Sequence, residues 1–126
     1  MPLSITTKLN PNPSGGQDVT LTLEGNLDNS TVATFEARLV PTLASKPSHL
    51  IFDLAQLAYV TSAGIRQFFV AQKQQKAHGG HVSFVNLQPQ IKEVFLIMGS
   101  LPDVKIFKNN AELDAYLTVR QKSYQQ

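Results

Sequence analysis

Near the start of the chain, apolar and polar residues alternate in a way that predicts a β-hairpin. In VTLTLEG, residues 19–25, every second residue from the valine onward is apolar, which is typical of a half-buried strand. LSITTKL, residues 3–9, alternates less cleanly. The segment between them, NPNPSGGQD, is rich in turn-forming residues. We therefore predict that 3–9 and 19–25 pair as antiparallel strands.

The next segment changes to helical spacing. Its apolar residues recur every three or four positions and would form one face of a helix: Val32, Phe35, Leu39 and Val40. Residues that can cap such a helix come just before it: Asp28, Asn29 and Ser30. TLASKPS, residues 42–48, would end it. HLIFDL, residues 49–54, is a nearly continuous apolar run, which is typical of a strand buried on both faces and predicts helices above and below the sheet.

A long helix is predicted to begin near Ser62, where YVTSAGIRQFF changes from an apolar run to helical spacing. It would end at Gly79 and Gly80. Its buried face would carry three large side chains: Ile65, Phe68 and Phe69. HVSFVNL, residues 81–87, alternates again and predicts another strand.

The remaining pattern predicts three shorter elements. Pro89 stands where the first turn of a helix tolerates proline, and Gly99 would close that helix. Its apolar face would carry four residues: Ile91, Val94, Phe95 and Met98. VKIF, residues 104–107, predicts a short edge strand, and Asn110 can cap a last helix before a polar tail at 120–126.

The predicted order ββαβαβαβα indicates an α/β fold with a mixed sheet of about five strands and about four helices. The 126 residues suit a single domain spanning 1–126, with 42% hydrophobic residues for its core. The net charge is only +2, and the eleven basic residues are spread along the chain without forming a stripe. Both features argue against nucleic-acid binding. The absence of cysteine and of a long apolar run fits a cytoplasmic protein without membrane insertion. From the alternation of strands and helices we also expect a compact monomer.

Ser62 allows three interpretations. As an N-cap, Ser62 or Thr61 would stabilise the helix by about 1 kcal/mol. As the serine of a hydrolase elbow it would need a small residue at Val60 and a later acid followed by a histidine, and neither condition is met. As a phosphate acceptor it would place a dianion at a helix N-terminus, one turn before Arg66.

The segment HGGH raises the question of a metal site. His78 and His81 are separated by two glycines, and no third ligand is suggested nearby. A helix C-terminus with a histidine favoured by the dipole explains the pattern better, so we expect neither a metal nor a cofactor.

The sequence resembles the STAS domains, above all the bacterial anti-sigma factor antagonists. GNLDNSTVATFEARL is similar to the family's G-E-L-D segment and first helix, and the stretch from His49 to Gly99 matches its strand, phosphorylation-site turn and long helix. In the family that turn reads D-S-S-G or D-S-T-G. Aligned on Gly64, the phosphoacceptor falls on Ser62, the aspartate on Thr61 and the next hydroxyl on Ala63.

The resemblance implies a role for two aspartates and a function. Asp28 takes the position of the family's G-E-L-D aspartate, and Asp28 and Asp53 would lie near the phosphorylation site, although a helix cap and a strand-end turn also explain them. Unmodified, the surface around Ser62 would dock on an anti-sigma factor that doubles as a serine kinase. Phosphorylation would separate the pair, and a phosphatase would reset it. The kinase would bring ATP and magnesium, so this chain would not be an enzyme.

Three alternatives remain open within the same resemblance. The chain could be the STAS subunit of a lipid-transport ABC complex, or part of a larger signalling assembly. It could also bind a nucleotide or another ligand at the helix N-terminus, although it has no glycine-rich phosphate loop.

Overall fold

The computed structural model describes residues 3–13, 15–97, 105–107, 111 and 115. The elements in these ranges, in chain order, are β1 (Ser4–Pro11), β2 (Gln17–Leu27), α1 (Val32–Ala44), β3 (His49–Val60), α2 (Ser62–Ala77), β4 (His81–Val85), α3 (Pro89–Ile97) and β5 (Lys105–Phe107). The predicted α/β class and the order as far as the last strand are confirmed. The predicted helix end at Met98 and Gly99, the cap at Asn110 and the polar tail lie outside the described residues, as does most of the predicted last helix.

The strands form one mixed sheet in the order β1-β2-β3-β4-β5. β1 is antiparallel to β2, which confirms the predicted hairpin, and the strands from β2 to β5 run parallel. β5 forms one border of the sheet, as predicted. Because the parallel strands point the same way, the sheet has a carboxyl end, where β2, β3 and β4 finish, and an amino end, where they begin.

A cluster of phenylalanine rings joins the helices to one face of the sheet. Phe52 on β3 and Phe84 on β4 are paired in register and stack with ring centroids 5.3 Å apart. Phe68 of α2 lies 5.0 Å from Phe52, Phe35 of α1 lies 6.0 Å from it, and Phe95 of α3 lies 5.0 Å from Phe84. All three described helices therefore pack on the same face. A sequential strand order with crossovers of one hand places each of these helices on the same side. HLIF, residues 49–52, is buried throughout, as predicted, and a helix on the opposite face stays a prediction that the described residues do not test.

β3 continues to Val60, well beyond the apolar run that predicted it. Its register with β2 shifts between Thr22 and Glu24, where β3 contains an extra residue, and shifts again after Gly25. Such bulges interrupt the two-residue alternation of a strand, so the sequence pattern hid the second half of β3. Gly25 has a φ of 106°, a backbone conformation that favours glycine.

Three residues that the sequence assigned to buried positions differ from the prediction. Two are more exposed than predicted, and the third lies beyond the end of its strand. Val40 is 58% exposed on α1, because the buried side of that helix follows Phe35, Leu39 and Leu43. Phe69 is only partly buried, since it lies beside the stripe that runs through Ile65 and Phe68. β4 ends at Val85, before the predicted Leu87.

The amino end of the sheet contains a buried polar network. Gln75, in the last turns of α2, donates its amide hydrogens to the carbonyl oxygens of Pro47 (2.9 Å) and His81 (3.1 Å). The His49 imidazole and the Ser83 hydroxyl share a hydrogen bond, and both residues are buried. No buried side-chain nitrogen or oxygen among the described residues lacks a hydrogen-bond partner.

Candidate functional site

Ser62 is the first residue of α2 and lies at the carboxyl end of the sheet. Its side chain is exposed, and none of the described residues forms a hydrogen bond with its hydroxyl. The N-cap position belongs to Thr61, whose hydroxyl makes no bond to the first turn of the helix. The interpretation of Ser62 as a cap is therefore wrong. Because no side chain among the described residues caps α2, the N–H groups of its first turn are available to another acceptor.

The turn before Ser62 is tied to the end of the neighbouring strand. The amide of Thr61 donates to the carbonyl of Leu27 (3.0 Å), and the hydroxyl of Thr61 lies 3.5 Å from the side-chain oxygen of Asn29. These contacts join the segment after β2 to the segment after β3. The GNLD segment and the Ser62 turn, which are far apart in sequence, therefore form one surface.

Gly64 allows this close approach. A Cβ atom at Gly64 would lie 2.7 Å from Cγ of Leu27 and 3.0 Å from Cγ2 of Val60. Both neighbours are buried, so they have little room to move. A larger residue at this position would push the first turn of α2 away from β2.

Asp28 carries an ionised carboxylate close to this turn. Its Oδ1 accepts hydrogen bonds from the amide (2.9 Å) and the hydroxyl (2.6 Å) of Ser30, and these bonds hold the pKa of the Asp28 carboxyl below its usual value. The predicted helix cap is wrong, because α1 begins at Val32 and its N-cap position is taken by Thr31. The hydroxyl of Thr31 instead accepts from the Asp28 amide (2.9 Å) and donates to the carbonyl of Asn26 (2.8 Å), which fixes the loop.

Asp53 lies within β3 and has local partners. Its Oδ1 accepts from the amide of Ala55 (3.1 Å) and from the side chain of Asn86 (3.2 Å), so the carboxylate braces the first bulge of β3. Within the described residues, no hydrogen bond links Asp53 to Thr61 or Ser62. The structure thus places the two chain neighbours of Asp28, Leu27 and Asn29, against Thr61, and it gives Asp53 a structural role within β3.

Two glutamines that the sequence interpretation missed support the second half of β3, which leads into the Ser62 turn. β3 projects beyond the end of β4, and the side-chain amides of Gln88 and Gln90 donate to the carbonyl oxygens of Ala55 (2.8 Å) and Ala58 (3.2 Å). They replace the hydrogen bonds that a longer β4 would have supplied. The sequence carried a signal for this role, since NLQPQ places several amide side chains between a strand and a helix, where they can bond to free backbone groups.

Arg66 is exposed one turn after Ser62, and no described residue pairs with it. Ala63 is partly exposed between them and adds little bulk. Residues Ser62 and Arg66 therefore present a hydroxyl and a cation on the same side of α2.

The HGGH segment has structural contacts at the opposite end of the sheet. Nε2 of His78 lies 2.8 Å from Oε1 of Gln75, and the His81 ring lies 5.9 Å from the His49 ring. In the part of the chain that the structure describes, no three His, Cys, Asp or Glu side chains are placed to hold a metal ion. None of the helices that the structure describes is long and apolar enough to cross a bilayer.

Comparison with known proteins places these features in a family. Residues 6–113 match the family model described as the STAS domain. BtrV of Bordetella bronchiseptica, which is named as a candidate anti-sigma factor antagonist, is 30% identical over 79 residues, covering 63% of this chain and 68% of BtrV.

Solved structures show the same fold at low sequence identity. Unphosphorylated SpoIIAA, an anti-sigma factor antagonist, has a TM-score of 0.67 and 18% identity, with 93% of this chain and 98% of SpoIIAA covered. The phosphorylated SpoIIAA of Bacillus has a TM-score of 0.67 and 17% identity, covering 90% and 99%. An anti-sigma factor antagonist from Mycobacterium paratuberculosis has a TM-score of 0.70 and 20% identity, covering 92% and 93%. The chain belongs to the STAS domain family.

Proposed function

We propose that this protein is an anti-sigma factor antagonist whose surface around Ser62 docks on an anti-sigma factor. The observation that carries the proposal is the exposed Ser62 hydroxyl, which has no partner among the described residues and stands at an uncapped helix N-terminus. The relatives support it at the level of the family, since several are named as anti-sigma factor antagonists. SpoIIAA has moreover been solved in unphosphorylated and phosphorylated forms.

In this proposal Ser62 is the switch, and the anti-sigma factor is also the serine kinase that modifies it. The N–H groups of the first turn of α2 and the partial positive charge of the helix end favour a phosphate at this position. Arg66, one turn further, adds a cation without a competing partner in the described chain. The binding module supplies the hydroxyl, and the partner brings ATP and magnesium.

Phosphorylation would separate the two proteins for an electrostatic reason. A phosphoserine adds about −1.5 to −2 charges to a surface that already carries the ionised carboxylate of Asp28. Arg66 balances only part of this charge, and taking the remainder out of water costs several kcal/mol. A phosphatase would then restore the binding form.

The surface proposed for docking consists of Asp28, Thr61, Ser62, Ala63, Gly64 and Arg66. Thr61 stands where the family has an aspartate, so Asp28 becomes the carboxylate that a partner would contact beside the acceptor. Asp53 contributes indirectly, because it braces β3 behind the turn.

Charge substitutions at Ser62 test the proposal against the co-purified anti-sigma factor. We expect Ser62→Asp to weaken binding by at least about a hundredfold, equivalent to roughly 2.7 kcal/mol. Ser62→Ala should bind like the wild type and accept no phosphate from the partner and ATP. Gln74→Asp is the matched control, because it adds the same charge on the exposed side of α2 about 18 Å further along the helix.

The result is decisive in either direction. Equal affinity of Ser62→Asp and the wild type, or phosphate found on a different residue, would refute the switch at Ser62. An equal loss of affinity in Gln74→Asp would show that net charge, and not the position of Ser62, controls binding.

A further inference from the structure

The outer border of β1 is a second feature that the proposed function does not use. β1 is the last strand of the sheet on its side, and all but one of its residues are exposed. Leu9 is 56% exposed. A strand of this kind presents unpaired backbone groups that can pair with a strand of another molecule.

The hydrogen-bond pattern of the hairpin shows which groups face outward. The amide of Asn12 donates to the carbonyl of Gly16 (3.0 Å), the next pair after Pro11 and Gln17. In an antiparallel ladder, residue pairs that exchange two hydrogen bonds alternate with residue pairs that exchange none. The even-numbered residues of β1 therefore bond to β2, and the odd-numbered residues turn their N–H and C=O groups toward the outer border.

Two side chains obstruct this outer border. Arg38, reaching from α1, donates to the outward carbonyl of Ile5 (3.2 Å) and to the hydroxyl of Thr7 (2.6 Å). At the other end of the strand Pro11 occupies an outward position and has no N–H to offer. The open part of the border is thus reduced to Thr7 and Leu9.

The sequence of β1 is self-complementary around Thr7. In an antiparallel pairing of two copies with Thr7 opposite Thr7, Ile5 faces Leu9 of the other copy and Lys8 faces Thr6. The pairing would cover the exposed Leu9 and bring no like charges directly opposite. A two-fold symmetric contact of this type closes on itself and yields a dimer.

We propose that Arg38 guards the outer border of β1 and prevents strand addition by a second copy of this chain. The guanidinium occupies the Ile5 carbonyl that a partner strand needs, its second bond to the Thr7 hydroxyl holds it there, and so it keeps the protein monomeric. Without the Arg38 guanidinium the outer border of β1 is exposed, and two copies then pair through this self-complementary strand.

Light scattering after size-exclusion chromatography, over a range of protein concentrations, tests this role. We expect the wild type to remain a monomer and Arg38→Ala to form dimers in proportions that rise with concentration. Glu36→Ala, an exposed change on the same helix, should stay monomeric. Arg38→Lys should also dimerise, because lysine keeps the charge but lacks the planar fork that holds both acceptors.

A second substitution separates strand pairing from a general loss of stability. Thr7→Pro removes an outward N–H at the centre of the proposed pairing without removing a bond to β2. Arg38→Ala combined with Thr7→Pro should return to the monomer. A monomeric Arg38→Ala, or a double variant that still dimerises, would overturn the proposal.

Discussion

The two ends of the parallel strands each carry an aspartate and a serine, but the environments differ. At the amino end, Ser83 is buried and bonded to His49, and Asp18 is buried with a hydrogen bond from Asn12 (3.2 Å). At the carboxyl end, the Ser62 hydroxyl is exposed without a partner in the described chain. The amino end uses its polar groups to complete the fold, whereas the carboxyl end leaves a hydroxyl available to another molecule.

The two aspartates show the same contrast in their titration. Burial raises the pKa of the Asp18 carboxyl, although its bond from Asn12 acts in the opposite direction. Hydrogen bonds from Ser30 lower the pKa of the partly exposed Asp28 carboxyl. Ionisation of Asp18 at the amino end therefore destabilises the fold, whereas the loop at the carboxyl end stabilises the ionised form of Asp28.

The largest expected effect comes from the core that joins the two ends. Phe68 is fully buried against the rings of Phe35, Phe52, Phe84 and Phe95. Phe68→Ala should lower the free energy of unfolding by about 3–5 kcal/mol. Phe69→Ala should cost clearly less, because its ring is only partly buried. Denaturant titration measures both, and equal losses would contradict the assignment of the buried face of α2.

The matched serines should respond differently to the same substitution. Ser83→Ala removes a hydrogen-bond partner from the buried imidazole of His49 and should cost about 1–3 kcal/mol. Ser62→Ala removes no internal bond and should stay within about 0.5 kcal/mol of the wild type. If Ser62→Ala lost as much stability as Ser83→Ala in calorimetric unfolding, Ser62 would have a structural role after all.

The smallest effects should come from the aspartates, with opposite signs. Since the pKa of Asp18 is raised on folding, its ionised form destabilises the native state. Asp18→Asn should therefore raise stability at neutral pH, and the gain should vanish as the pH falls below the unfolded value of 3.8. Since the pKa of Asp28 is lowered, Asp28→Asn should reduce stability at neutral pH, and the loss should vanish as the pH falls through the native pKa.

Unfolding curves measured from acid to neutral pH test both signs. The amide oxygen that Asp18→Asn introduces can still accept the bond from Asn12, so the comparison isolates the charge. Two variants with the same pH dependence would contradict the contrast between the two ends.

The sequence predicted the regular elements better than the irregular ones. Apolar periodicity located the hairpin, the three described helices and the cores of the parallel strands, because each of these has one repeating buried face. It missed the second half of β3, where two bulges and the amides of Gln88 and Gln90 replace a regular ladder. The short apolar run at 49–52 correctly indicated a buried strand, but it does not reveal the order of the strands.

For the candidate site, the position of Ser62 at the start of α2 could be predicted from its local pattern. Its relation to Asp28 could not be derived from that pattern, because it depends on the pairing of β2 with β3 and on contacts such as Thr61 to Leu27. Of the two residues predicted as the cap, Ser62 and Thr61, the structure places Thr61 at the N-cap position, but its hydroxyl makes no bond to the first turn.

Amide chemical-shift mapping by NMR tests most directly which end of the sheet binds the partner. The isotope-labelled protein would be titrated with the unlabelled anti-sigma factor. We predict the largest changes at residues 26–31 and 59–66, with those at 46–49 and 78–83 unchanged. Saturable binding that shifts the amino end, and leaves the amides around Ser62 unperturbed, would contradict the account.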